Sequence, residues 1–164
     1  VATHCHQDHT GGALEFPTAE RYIHAADLGQ LPPDLCDTFA PVAENRLPNL
    51  ESVHLGWHTP GSIALFHRTS GTLFCGDHLG FYHLPPEGVV GFGKEIRERA
   101  RQRVKQWAAD PGERHADRLD QWVDGLRALR AYPTRALCPG HGGVLVGAIP
   151  EFLNRLIEAA CGRD

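Results

Sequence analysis

Four side chains that bind metals readily, His4, His6, Asp8 and His9, stand in the decapeptide Thr-His-Cys-His-Gln-Asp-His-Thr-Gly-Gly near the start of the chain. Neutral imidazole nitrogens and carboxylate oxygens are donors that zinc, iron and manganese all accept. In an extended segment alternate side chains share a face, which would aim His4, His6 and Asp8 the same way. A turn into Gly11 and Gly12 would swing His9 round to join them, so that one short loop feeds two cations. The plain alternative is a solvated polar loop. Composition alone seldom sets histidines at this spacing beside an acid and a glycine pair, and bunching them costs desolvation with no return unless an ion is bound.

Three more polar residues occur where apolar runs give way to glycine and proline. They are His58 in Trp-His-Thr-Pro-Gly-Ser, Asp77 in Cys-Gly-Asp-His, and His141 in Pro-Gly-His-Gly-Gly. Such neighbours let the backbone turn sharply and aim a strand-end side chain into a shared cleft. Any one alone reads as a loop histidine or a turn-forming aspartate; the recurrence is what counts. His78 follows Asp77 directly and is expected off the site, because adjacent strand residues point to opposite faces. His24, His54, His67, His83 and His115 read as ordinary histidines, with His83 the one whose replacement would test substrate contact.

The elements that must position these groups are legible from periodicity. Val1 to Thr3 read as the end of a strand, 12–16 as a short helix closed by Pro17, and 21–24 as a brief strand. Residues 29–50 are proline-rich and expected to be mostly irregular. Alternation then predicts strands over 52–57, 62–67 and 72–75, and a further strand over 135–138. A loop over 80–93, carrying Phe81, Tyr82 and His83, reads as a substrate lip. Helical spacing predicts helices over 94–109 and 113–131, and a last helix opened by Pro150. Trp107 and Trp122 read as core anchors. Six basic residues on the first of these helices could meet an anionic group, but they fall all round it, as on a solvated face.

A chain of 164 residues makes one domain, residues 1–164, able to bury about two-thirds of the surface its unfolded form exposes. With 41% hydrophobic and 22% charged residues it is neither disordered nor fibrous. A net charge of −4 argues against nucleic acid as a partner, and no apolar run approaches the roughly 20 residues that span a bilayer. The expected partner is a small-molecule substrate, the expected location the cytoplasm, and the oligomeric state is open. Five cysteines without a CxxC pair make no disulfide framework. Cys75 and Cys138 read as small buried hydrophobes, and Cys5 as pointing away from its ligand neighbours rather than as a nucleophile. The chain has no methionine and opens as if a strand were already under way, so it reads as N-terminally incomplete.

Taken in order, HxHxDH, HTPGS, GD and PGHGG resemble the ligand motifs of the metallo-β-lactamase superfamily of metallohydrolases, over residues 3 to about 143. The resemblance implies an α/β (α+β) fold, the four-layer αββα sandwich with its site along one edge, here lacking the N-terminal strands with which family domains begin. It implies that His4, His6 and His58 hold one divalent metal, that Asp8, His9 and His141 hold a second, and that Asp77 bridges them. Zinc is the first expectation, with iron or manganese also suited to these donors. The implied activity is a binuclear hydrolase whose metal-bridging hydroxide, formed from a water with pKa lowered to about 7, cleaves a small ester, thioester, lactone or lactam. Asp8 and Asp77 would be its catalytic carboxylates, and Thr59 and backbone carbonyls would accept from the free imidazole nitrogens. The all-histidine, two-aspartate set resembles the thioesterase and lactonase branches more than the antibiotic-cleaving one. Nucleases of the superfamily usually carry a further domain for which there is no room here. The alternatives are an iron-dependent oxidoreductase of persulfide dioxygenase type in the same frame, or a truncated metal-binding remnant without catalysis.

Overall fold

The computed structural model describes residues 1–43, 47–80, 102, 105 and 118–161. The expected lip over 80–93 falls outside the described residues beyond Gly80, as do His115 and the basic helix apart from Gln102 and Lys105, which are helical.

Alternating apolar residues build a five-stranded sheet in the order β3-β4-β5-β6-β7, from β3 (Leu50–His54), β4 (Ile63–His67), β5 (Thr72–Gly76), β6 (Ala136–Pro139) and β7 (Leu145–Val146). Neighbours run antiparallel except β5 and β6, which are parallel. Two helices, α4 (Leu119–Arg130) and α5 (Ile149–Ala160), cover one face. Their stripes, Trp122, Val123, Leu126 and Leu129 on α4 and Phe152, Leu153 and Leu156 on α5, pack on Ala64, Phe66, Leu73, Cys75, Leu137 and Leu145 of the strands. Each large side chain so buried contributes about 1.5–3 kcal/mol over its exposed state. Pro150 sits in the first turn of α5, where its missing N–H costs nothing.

Strand β4 is buried on both faces, and its alternation explains why. Ala64 and Phe66 meet the helices, while Ile63 and Leu65 pack with Tyr22 and Leu47 on the other side. Tyr22 belongs to a two-stranded parallel sheet of β1 (Tyr22–Ile23) and β2 (Ala40–Pro41). A third cluster, Ala2, Cys5, Ile23, Leu31 and Leu35, lies beneath the opening loop.

Several local expectations are corrected. Residues 1–3 form no strand, although Ala2 N donates to Tyr22 O at 2.8 Å and Ile63 N to Thr3 O at 2.9 Å, which ties the opening segment to both sheets. The stretch expected to be irregular contains α3 (Pro33–Cys36) and β2, and α2 (Ala25–Leu28) precedes it. These elements, like β7, are too short to show a period. No helix among the described residues is long and apolar enough to cross a membrane.

Strand direction places the later ligand motifs. Because β3, β4 and β5 alternate in direction while β6 runs with β5, the β3–β4 connection and the segments leaving β5 and β6 emerge at the same end of the sheet. His58, Asp77 and His141 occupy those three segments.

Candidate metal centre

The opening loop converges on that end by a route that alternation did not anticipate. His4 lies in a bend, and His6 is the N-cap of a single helical turn, α1 (Gln7–Thr10), which carries Asp8 and His9. The helical turn, rather than a strand followed by a glycine turn, therefore brings Asp8 and His9 round. Thr10 Oγ1 donates to His6 O at 3.0 Å and pins the turn.

The seven residues gather into two groups, His4, His6 and His58, and Asp8, His9, Asp77 and His141, with the donor atoms of each group within 4.8 Å of one another. In the first, His58 Nε2 lies 3.0 Å from His6 Nδ1. Thr3 Oγ1 stands 3.2 Å from His4 Nδ1, which leaves His4 Nε2 to face the cluster. In the second, His141 Nε2 is 3.0 Å from Asp8 Oδ2 and 3.3 Å from His9 Nε2. Asp77 stands between the groups: its Oδ2 is 3.4 Å from His58 Nε2 and 3.4 Å from His141 Nε2, while its Oδ1 is 3.1 Å from His9 Nε2.

This donor set fits metal ions. Among the described residues, His4 Nε2 and Asp77 Oδ1 are buried and make no hydrogen bond. An orphaned buried polar atom costs about 1–3 kcal/mol, a cost that ligation removes. Burial, and then the neighbouring His9, His58 and His6, push His4 down to about 3, so its imidazole is neutral with a lone pair to offer. Desolvation works against ionising Asp8, yet a backbone hydrogen bond and the His9, His141 and His4 rings together hold its carboxyl below the usual value. The groups run from His4, fully buried, to the Asp8 side chain, 57% exposed, so the cluster opens to solvent on the Asp8 side.

Glycines make the close approach possible. Gly76, at φ +50°, ends β5, and a Cβ there would lie 2.8 Å from Thr3 Oγ1. Gly140 N donates to Gly76 O at 2.8 Å, clasping the Asp77 and His141 segments together.

His78 stays out of the cluster, but not because of strand alternation, since β5 has already ended. It turns into the core, where its Nε2 lies 3.0 Å from Trp122 O and Trp122 Nε1 donates to its carbonyl at 2.8 Å. A Cβ on Gly125 of α4 would collide with its ring. Replacing His78 with Ala should therefore lower the melting temperature, since removing a buried ring packed against Trp122 and Gly125 leaves a cavity, and leave the metal content unaltered. Elemental analysis beside a thermal melt checks both halves; a lost metal equivalent would assign His78 to the centre.

Thr59 is also corrected. Its hydroxyl does not serve an imidazole but donates to Asp27 Oδ2 at 2.6 Å. Asp27, fully buried, escaped the sequence reading because a lone aspartate in Ala-Ala-Asp-Leu carries no spacing signal. Cys5 is buried, and burial, then Asp27, pushes its thiol up to about 11.

Compared with known proteins, the chain matches no family model. A hydroxyacylglutathione hydrolase from Synechococcus sp. (strain JA-2-3B'a(2-13)) is 30% identical over 134 residues, which are 75% of this chain and 53% of that protein. Among solved structures, a flavoprotein from Thermotoga maritima superposes with TM-score 0.72 at 20% identity, over 98% of this chain and 42% of its own. A chemotaxis sensor described as a peroxy diiron species gives 0.62 at 19%, over 95% and 68%. The DIM-1 metallo-β-lactamase gives 0.57 at 21%, over 97% and 68%. The chain is a metallo-β-lactamase-fold protein with a His/Asp cluster suited to metal. Within that class its curated sequence relatives are hydroxyacylglutathione hydrolases, of whose length it spans about half.

Proposed function

We propose that the chain is a binuclear metal-dependent hydrolase, zinc-bound, that cleaves a small acyl compound, with a thioester as the first substrate class and an ester, lactone or lactam as the next. The observation carrying this reading is Asp77 Oδ2, equidistant from one histidine of each donor group. The thioester preference rests on the hydroxyacylglutathione hydrolase likeness. When bound, two divalent cations supply an acidified water and a Lewis acid for the acyl oxygen. His4, His6 and His58 would hold one, Asp8, His9 and His141 the other, and Asp77 both. The exposed Asp8 carboxylate, ionised at neutral pH, would accept a proton and return it to the departing thiolate, giving a carboxylic acid and a free thiol.

Iron in the same frame is the second reading, favoured by a donor set with nitrogen and oxygen but no thiolate. Elemental analysis of protein purified without chelator, paired with a thioester, lactone and phosphodiester panel, separates the two. Two equivalents of zinc with thioester turnover are expected. Tightly bound iron with oxygen consumption would overturn the hydrolase.

A further inference from the structure

The two loops that supply the histidine trio are fastened to each other through one buried carboxylate that ligates nothing. Asp27 Oδ2 accepts from Cys5 N at 3.0 Å and from Thr59 Oγ1 at 2.6 Å. Asp27 Oδ1 accepts from Gly61 N at 2.7 Å and from Gln30 Nε2 at 3.3 Å. Cys5 is the residue between His4 and His6; Thr59 and Gly61 follow His58. All four acceptor positions of an ionised carboxylate are thus filled, three of them by groups flanking the trio. A Cβ on Gly61 would come within 2.6 Å of Asp27 Cγ, so the second loop is pressed against this carboxylate. Asp8, His9, Asp77 and His141 take part in none of these bonds.

From this geometry we infer that Asp27 is a positioning residue for the His4–His6–His58 trio, setting the separation of its two loops and hence the metal affinity of that half of the centre alone. The inference rests on the binuclear reading above. An asparagine cannot substitute, because its amide has one oxygen, and its NH2 would face either Cys5 N–H or Gly61 N–H. Groups that orient metal-binding histidines typically govern about 10- to 100-fold in affinity.

Cobalt(II) titration of the full chain, read by ligand-field absorbance and by competition with a chromophoric chelator, tests this without recourse to turnover. Wild type should take up two equivalents. In Asp27→Asn one equivalent should weaken about 10- to 100-fold while the other stays within about twofold. In a His141→Ala background, where the trio is left intact, the remaining equivalent should carry the whole loss. Thr59→Val removes one of the four bonds and should move the same equivalent in the same direction by less, which keeps the test decisive should Asp27→Asn fail to fold. Two unchanged equivalents in the variants would overturn the inference alone, and so would equal weakening of both alongside a collapse of the metal-free melting temperature. A wild type that binds fewer than two equivalents would overturn the binuclear reading beneath it.

Discussion

Asp77→Asn should abolish turnover and strip the protein of bound metal. The carboxylate faces His9, His58 and His141 at 3.1–3.4 Å. A neutral amide keeps the shape, yet it offers one oxygen where two are used and no charge to set against two cations. Removing one partner from a buried charged pair costs about 3–5 kcal/mol, which is roughly a hundred- to several-thousand-fold in affinity or rate. Metal content after gel filtration and turnover of the best substrate are the two readouts. Full metal content with ordinary turnover would remove Asp77 from the bridging role.

Gly140→Ala should do comparable damage through shape alone. A methyl at that position would overlap Asp77 Oδ1 and approach His9 Cε1 to 2.6 Å, with the Gly76 backbone at 3.3 Å behind it. Neither the carboxylate nor the backbone can retreat without moving a ligand. A displacement of about 1 Å at a reacting centre can cost on the order of a hundredfold in rate. The metal equivalent held by Asp8, His9 and His141 should weaken with it. Gly29→Ala, where a Cβ meets nothing within 4 Å, is the matched control and should behave as wild type in both assays.

What the sequence made legible was the membership of the cluster and the long elements. The seven residues of the cluster could be singled out because they recur in unusual company, histidine and aspartate against glycine and proline at strand ends. Strands β4 and β5 and helix α5 could be read because each repeats its period long enough to stand out. The route by which Asp8 and His9 reach the cluster could not: a four-residue helical turn and an alternating strand make similar use of HxHxDH, and the turn is pinned by a local bond from Thr10 Oγ1 to His6 O that no period announces. His78 lies outside the cluster as expected but for a different reason, since the strand has ended before it and its ring turns into the core. Asp27 shows the harder limit. Its importance comes from bonds to Cys5, Thr59 and Gly61, 22, 32 and 34 residues away in sequence, and nothing local announces them.

The strand directions that bring three loops together also leave the molecule with a quiet pole. The turn through Thr69 and Ser70 joins β4 to β5 at the opposite end from Asp77 and His141. A fluorophore, an affinity handle or a surface tether grafted there would report on the protein, or immobilise it, while keeping the whole strand length between itself and the cleft.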